Sequence, residues 1–444
     1  MENSTNNTFE RIGKSIKSSI TLKLFSISIL ILLLLIPVSQ VRTLISEREG
    51  YRYDAVREVS EKWGGQQTIT GPILTIPYKT YTTDVDKEVY EHTNYAHFLP
   101  ENLRISSIVN PEIRKRGIYE IPLYNTRVNI AGDFTPPDLN AFKINSQHIQ
   151  WEDAFVSLGI PDMVGIKDVI LLKWNKESHP FEPGLTNNDI LTSGVNSKVS
   201  LLEGSSAEFS FDINLNGSEK LNFVPLGKKT NVKVTSTWTD PSFNGRYIPD
   251  HHEITEEGFE AEWNVFDFNR NYPQQWLGDI HNTYGSEFGV DLFMPVNHYQ
   301  KNMRSAKYAI LIITLTFLVY FFFEILNKRK IHPFQYILIG LSLSLFYTLL
   351  LSITEHFGFD SAYLISSIMV ISLIVGYSSV IFNSKKLTTL LASFLALIFG
   401  FIYVILQLQD YSLLVGSVGL FVVLGVTMYL SRKIDWYALS SVKN

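Results

Sequence analysis

Cysteine is absent from all 444 residues, which excludes disulfides, thiolate metal sites and cysteine nucleophiles. The redox compartment stays open, since a cysteine-free chain tolerates either. Charge is scarce as well: charged residues make up 18%, against ~25% in an ordinary soluble domain, so long stretches must carry none. Nor is there a basic excess to meet a polyanion. The stretch from Arg42 to Arg304 holds 25 Lys/Arg and 36 Asp/Glu, a net of −11, while the remainder holds 13 and 7, a net of +6. An acidic centre between basic, apolar ends is poor material for nucleic-acid binding. HExxH, GxSxG, a Walker-A loop and GxGxxG are all missing, so nucleophilic hydrolysis and nucleotide-driven transport lack their usual local signatures. The expectation is a protein that is not an enzyme and takes no cofactor or metal.

What is present is hydrophobic length. Residues 24–38 read as apolar apart from Ser26, Ser28 and Pro37, and with 20–22 they approach the ~20 residues that cross a bilayer. Arg11, Lys14, Lys17 and Lys23 precede them, and the exit Pro37-Val38-Ser39-Gln40-Val41-Arg42 lacks a small-x-small cleavage pattern. An uncleaved signal anchor at 20–41 is therefore expected, after a cytoplasmic basic tail at 1–19. Five further spans are expected at 305–327, 333–353, 361–382, 387–408 and 411–431, with a cytoplasmic tail at 432–444. The loops alternate in charge. Lys328, Arg329, Lys330, Lys385, Lys386, Arg432 and Lys433 fall on one side, and Glu355, Asp360 and Asp410 on the other. Short-loop Lys/Arg bias marks the cytoplasmic side. Both termini are then cytoplasmic, and 42–304 is periplasmic.

That segment is long enough to own a hydrophobic core. Phe209, Phe211, Ile213 and Leu215 alternate with Ser210, Asp212, Asn214 and Asn216. Val232, Val234 and Trp238 alternate with Lys233, Thr235 and Thr237. Phe259, Ala261, Trp263 and Val265 alternate with Glu260, Glu262 and Asn264. Period two predicts strands, with turns at Asn216-Gly217-Ser218, Asp240-Pro241-Ser242 and Glu257-Gly258. Residues 46–62 predict a charged helix continuing from the first span, and 151–158 a second, short one. The fold class expected is an α-helical polytopic membrane protein of six transmembrane helices, with a large β-rich, sandwich-like α+β extracytoplasmic domain inserted between helices 1 and 2.

Read together, ordered segments along the chain are similar to one known family. Glu47-Arg48 and Tyr51 lead into Trp63-Gly64-Gly65-Gln66-Gln67, then Gly71-Pro72-Ile73-Leu74 and Pro77-Tyr78. Arg116-Gly117-Ile118-Tyr119, Pro122-Leu123-Tyr124 and Pro225-Leu226-Gly227 follow. Trp238-Thr239-Asp240-Pro241-Ser242-Phe243-Asn244-Gly245 precedes Gly258-Phe259-Glu260-Ala261-Glu262-Trp263. Tyr299-Gln300-Lys301, Arg304-Ser305-Ala306-Lys307-Tyr308, His332-Pro333-Phe334-Gln335-Tyr336, Phe346-Tyr347 and Ser352-Ile353-Thr354-Glu355-His356 complete the set. The set resembles the CreD family of bacterial inner-membrane proteins, from about Glu47 to Tyr377. The resemblance implies a role in envelope integrity and colicin tolerance, as part of the output of a two-component regulatory system. It implies no catalytic residue and no substrate.

Candidate sites then come from the residues themselves. Charge within or beside a span marks function by default: Glu324 beside Lys328, Glu355 with His356, and Lys307. Boundary groups that pair or snorkel are the plainer reading, and an ion path through Glu355, His356 and Glu324 the sharper one. Gly340, Ser344, Thr348 and Ser352 recur every four residues, as do Ala392, Ala396 and Gly400, and Ser372 with Gly376. Small residues at that spacing suit close helix packing or an oligomer interface. Asp250-His251-His252-Glu253 is the one metal-like cluster, but adjacent strand residues face opposite ways. Arg114-Lys115-Arg116 is either a solvated run or a contact for anionic headgroups. Trp63, Trp238 and Trp263 read as core. Where the two tethers of the outer domain converge, Glu47, Glu49 or Glu58 is expected to meet Lys301, Arg304 or Lys307. The partners expected are the lipid bilayer and periplasmic or envelope proteins or lipids. No nucleic acid is expected, and oligomeric state is left open. A transporter or lipid-handling protein is the alternative reading.

Overall fold

The computed structural model describes residues 20–84, 88–292, 298–327, 331–408 and 411–432. The basic tail at 1–19, the loop cations Lys328, Arg329 and Lys330, Asp410 and the tail from Lys433 onward lie outside the described residues. Two compact units result, one of residues 1–51 with 296–444 and one of residues 52–295.

The first helix, α1 (Ile20–Trp63), is 44 residues long and runs through both units. Its first half is apolar enough to cross a membrane. Its second half is held by side-chain pairs one turn apart. Glu58 accepts from Lys62 at 2.9 Å, Asp54 from Arg57 at 2.7 Å, and Glu47 from the Tyr51 hydroxyl at 2.7 Å. Glu58 precedes Lys62 by four residues, the order that also suits the helix dipole. The sequence-based boundary at residue 41 thus marks a change of composition and not the end of a helix.

The unit of residues 52–295 is a two-sheet β domain. One sheet has nine strands and the other eight. The strands expected from alternation appear as Ala207–Ser218, Lys229–Ser236 and Gly258–Phe266. Both sheets turn their apolar faces into one continuous core, in which Trp174, Trp263 and Trp276 are buried. That shared core is why the domain reads as a sandwich.

Three local expectations fail. The turn expected at Asp240-Pro241-Ser242 ends at Asp240, because Pro241 and Ser242 already pair with Leu292 and Asp291 in the strand Pro241–Gly245. The short helix expected over 151–158 is a single 3-10 turn, Trp151–Asp153, followed by the strand Phe155–Gly159. That strand pairs on both sides, with Gln67–Thr83 and Gly194–Lys198, and is buried along its whole length. A strand covered on both faces shows no alternation to read. Likewise Gly217 is no turn residue, since it lies within the strand Ala207–Ser218. A Cβ there would come 2.2 Å from the Tyr124 hydroxyl oxygen, so glycine makes room for that ring. The chain turns instead at Glu219, which has φ 61°.

The helix unit adds α2 (His298–Lys307), α3 (Ala309–Leu326), α4 (Pro333–Phe357), α5 (Phe359–Phe382), α6 (Lys385–Gln407) and α7 (Ser412–Ser431). With α1, five of these make six helices long and apolar enough to span a membrane. Only α2, charged and ten residues long, does not. The fold is that of a polytopic membrane protein with a large β-rich domain between its first and second spans.

Candidate functional site

Among the described residues, the charges of the helix unit gather at two ends. At one end Glu324, 8% exposed near the end of α3, forms an ion pair with Lys23 of α1. It also accepts from the Ile331 backbone N–H at 3.2 Å and from the Tyr336 hydroxyl at 3.3 Å. The carboxylate therefore joins α1, α3 and the entry to α4. Lys328, its expected neighbour, lies outside the described residues. Lys23 was legible only as one of several cations preceding the first span.

At the end that leads to the β domain, Glu355 of α4 accepts from the Tyr299 hydroxyl at 3.1 Å and lies 4.0 Å from Arg48 of α1. Arg304 donates to the carbonyls of Ile405 at 3.4 Å and Leu408 at 3.0 Å. It thereby caps the C-terminus of α6, where carbonyls lack helical partners. Lys301 reaches Gln407 at 3.3 Å, and Asp360 accepts from Tyr403 at 3.1 Å and from Gln407. At this end Arg48 of α1 supplies a cation and Glu355 a carboxylate. Glu58 pairs with Lys62 and Arg116 inside the β unit. His356 and Lys307 are exposed.

The two ends are not brought together. Tyr336, bonded to Glu324, and Glu355 lie 19 residues apart on α4, about 28 Å of helix. A direct relay between Glu324 and the Glu355–His356 pair is therefore not formed.

The small-residue stripes divide. Gly340 is buried, and a Cβ there would come 2.1 Å from Leu34 Cδ1, so α1 and α4 touch at this point. Ser344, 5% exposed, bonds back to the Gly340 carbonyl. Thr348 and Ser352 are exposed. The reason is geometric: a step of four residues overshoots one turn by about 40°, so such a stripe winds out of a straight contact. On α6 the buried face is Leu391, Leu395, Ile398, Phe399 and Ile402. Ala392 is half-buried, Ala396 and Gly400 are exposed, and nothing lies within 4 Å of a Gly400 Cβ. Ser372 and Gly376 are exposed as well.

In the β domain the basic run is neutralised from within. Arg114 pairs with Glu112 at 2.9 Å and lies 4.0 Å over the Trp63 ring; Lys115 pairs with Glu120 at 3.0 Å, and Arg116 with Glu58 at 3.1 Å. His251–Thr255 is an exposed strand at the edge of its sheet, where His252 meets the Phe243 ring at 5.4 Å. Among the described residues, no three His, Cys, Asp or Glu side chains converge on a metal-sized space.

Two clusters escaped the sequence reading. At the end of α1, Gly64 has φ 136°, and a Cβ on it would come 2.6 Å from the Asn216 carbonyl oxygen. Gln67, fully buried, then donates to the carbonyls of Asp162 at 2.9 Å and Asn216 at 3.2 Å, and Asp162 accepts from the Gly65 N–H at 2.7 Å. The Trp63–Gln67 signature is thus a junction between helix and sheet, beside an open groove of about 500 Å³ lined in part by Arg57, Ser60, Glu61, Asp162 and Ser218.

The other cluster is Thr75–His97–Asp189. Thr75 and His97 are direct cross-strand partners, as are His97 and Trp276. His97, 1% exposed, has Nδ1 3.0 Å from the Thr75 hydroxyl and Nε2 3.0 Å from the Asp189 carboxylate. With Nε2–H donating to Asp189, the neutral ring accepts from the Thr75 hydroxyl at Nδ1. Burial holds the imidazole below its ordinary value, and the bond from Asp189 opposes this only in part. Hydroxyl, imidazole and carboxylate in line have the order of a hydrolytic triad. Thr75 is 1% exposed, however, so its oxygen is buried in the core. Asp189 lies 92 residues from His97, a separation no local motif reveals.

Comparison with known proteins agrees with the fold. The family model described as inner membrane protein CreD matches residues 19–437. The inner membrane protein CreD of Escherichia coli (strain K12) is 34% identical over 439 residues, covering 96% of this chain and 96% of that protein. A solved M1 zinc metallopeptidase from Deinococcus radiodurans aligns over 77% of this chain and 92% of its own at 9% identity, with a TM-score of only 0.20.

Proposed function

Because the chain belongs to the CreD family of inner membrane proteins, we propose that it supports envelope integrity under stress without catalysing a reaction. Its β domain works on the periplasmic side of a six-helix base, and both termini are cytoplasmic. The observation that carries this reading is the sorting of loop charge. Lys385, Lys386 and Arg432 fall at one end of the spans, and Glu355 and Asp360 at the other. Cations near the opposite end do not weaken the argument, because long translocated segments cross largely regardless of charge. Arg48 is matched by Glu355, and Arg304 is engaged by helix carbonyls. The non-enzymatic reading is supported by the burial of Thr75 in the Thr75–His97–Asp189 line.

Cysteine accessibility in intact cells tests the topology on a native background with no thiol. Single cysteines replace Glu49, Asp240, Arg329, Gly358 and Arg432, and a membrane-impermeant maleimide is applied before and after lysis. Labelling at 49, 240 and 358 in intact cells, and at 329 and 432 only after lysis, is expected. Labelling of position 240 only after lysis would place the β domain in the cytoplasm and end this reading.

A further inference from the structure

The open groove of about 500 Å³ beside the junction of α1 with the sheet is lined wholly by the unit of residues 52–295. One wall is a face of the charged half of α1, where Tyr53, Arg57 and Glu61 recur every four residues with Ser60 beside them. The other wall is the corner Ser218–Glu219 together with Asp162. That wall is held in place by its own backbone. Glu219 has φ 61°, and Asp162 accepts from the N–H of Gly65 at 2.7 Å and of Val164 at 3.1 Å. A concave space of this size suits a small ligand.

Charge in the groove is unbalanced. Glu61, Asp162 and Glu219 bring three carboxylates, while the cation that lines it, Arg57, is committed to Asp54 at 2.7 Å. Glu219 accepts from the Gln66 amide at 3.1 Å and Asp162 from backbone, so both have neutral donors. Among the described residues no cation pairs with any of the three. Elsewhere in the β domain such groups are matched: Glu58 by Lys62 and Arg116, Glu101 by Lys228, and Glu260 by Lys233. Ser60 and Ser218, 9% and 1% exposed, also line the groove, and neither hydroxyl oxygen has a partner among the described residues. The walls are therefore polar as well as acidic.

This set repels an anion. A single metal ion does not fit either, because among the described residues no three acidic side chains converge on a metal-sized space. The carboxylates are instead spread over both walls, with Glu61 on one and Asp162 and Glu219 on the other. Negative charge so distributed complements positive charge distributed along a ligand, and each ammonium group supplies three donors and no acceptor. Tyr53, exposed on the helix wall, offers a ring face to a cation. We propose that the groove binds a linear oligoamine, its ammonium groups shared between Glu61 on the helix wall and Asp162 and Glu219 on the sheet wall. The inference stands on the β unit alone, so its failure would leave the envelope role untouched.

The test titrates the full chain, in neutral detergent at low ionic strength, with spermidine by isothermal titration calorimetry. A single saturable site is expected, weakening as salt is raised. Glu61→Gln and Glu219→Gln should each weaken binding about threefold, and together about tenfold, the scale of exposed ion pairs. Arg57→Gln, which removes a competing cation, should strengthen it about twofold. Glu257→Gln, outside the groove, should change nothing. Absence of a saturable site, or unchanged affinity in the double variant, would overturn the proposal. Should the double variant not fold, Arg57→Gln decides, and an affinity that stays the same or falls there overturns it. Displacement of spermidine by equimolar magnesium would reject the site as charge attraction alone. Much tighter binding of tetralysine than of spermidine would assign the groove to a basic polypeptide and reject the free amine.

Discussion

His97 binds its proton less readily in the folded β domain than in the unfolded chain, because its ring is buried against Thr75 and Trp276. For a histidine with a depressed folded value, stability is intact above the unfolded value and falls as pH drops below it. The loss is at most ~1.4 kcal/mol for each pH unit between the folded value and ~6.5. His97→Gln should therefore cost about 1–3 kcal/mol at pH 8, through lost hydrogen bonds, and flatten the pH dependence between 7 and 5 measured by denaturant unfolding. An equally steep acid limb in the variant would assign the sensitivity elsewhere. Glu324 permits a second test at this scale. Removing it as Glu324→Ala leaves Lys23 unpaired beside a lipid-facing helix. The expected cost is about 1–3 kcal/mol, below the ~3–5 kcal/mol of a fully buried pair because Lys23 keeps some solvent. Lys23→Met combined with Glu324→Leu should recover most of that loss in thermal unfolding in detergent. Glu324 was legible as a lone charge in an apolar run. Its partner, 301 residues away, was not.

Elements show the same division between composition and contact. Gly340 and Gly400 look alike in sequence, each in a four-residue series of small side chains. Leu34 lies against the first, and nothing lies against the second. Gly340→Ala should force α1 away from α4 and cost about 1–3 kcal/mol, which Leu34→Ala should partly restore. Gly400→Ala should be neutral or stabilising by up to ~1 kcal/mol, as ordinary helix propensity dictates. Equal effects at both sites, measured by thermal unfolding in detergent, would refute this assignment of faces. Strands read best where one face is wet, as in Ala207–Ser218, and failed at Phe155–Gly159, where both faces are dry. The charged half of α1 was legible from its helical spacing and its Glu–Lys order. Its end at Gly64 depends on the Asn216 backbone, which only the folded sheet brings there.

The whole molecule divides into two units with different solvents, and they should unfold under different conditions. Six of the seven tryptophans, among them Trp174, Trp263 and Trp276, lie in the unit of residues 52–295. Tryptophan emission in guanidinium should therefore report the β domain almost alone. A cooperative shift in emission is expected while the helical circular-dichroism signal, carried by the lipid-facing spans, largely persists in detergent. A single coincident transition would show that the two units unfold together.

Six spans and a β-rich insert were determined by the sequence itself. Hydrophobic length and the alternation of wet and dry faces are local quantities, set by each stretch of chain and its solvent. Contacts across the chain were decided by the tertiary structure alone. Lys23 meets Glu324, Arg48 meets Glu355, Glu58 answers Arg116, and Asp189 answers His97. Each pairing depends on where two distant segments come to lie once apolar surface is buried, and charge in a low-dielectric interior takes whichever partner that packing supplies.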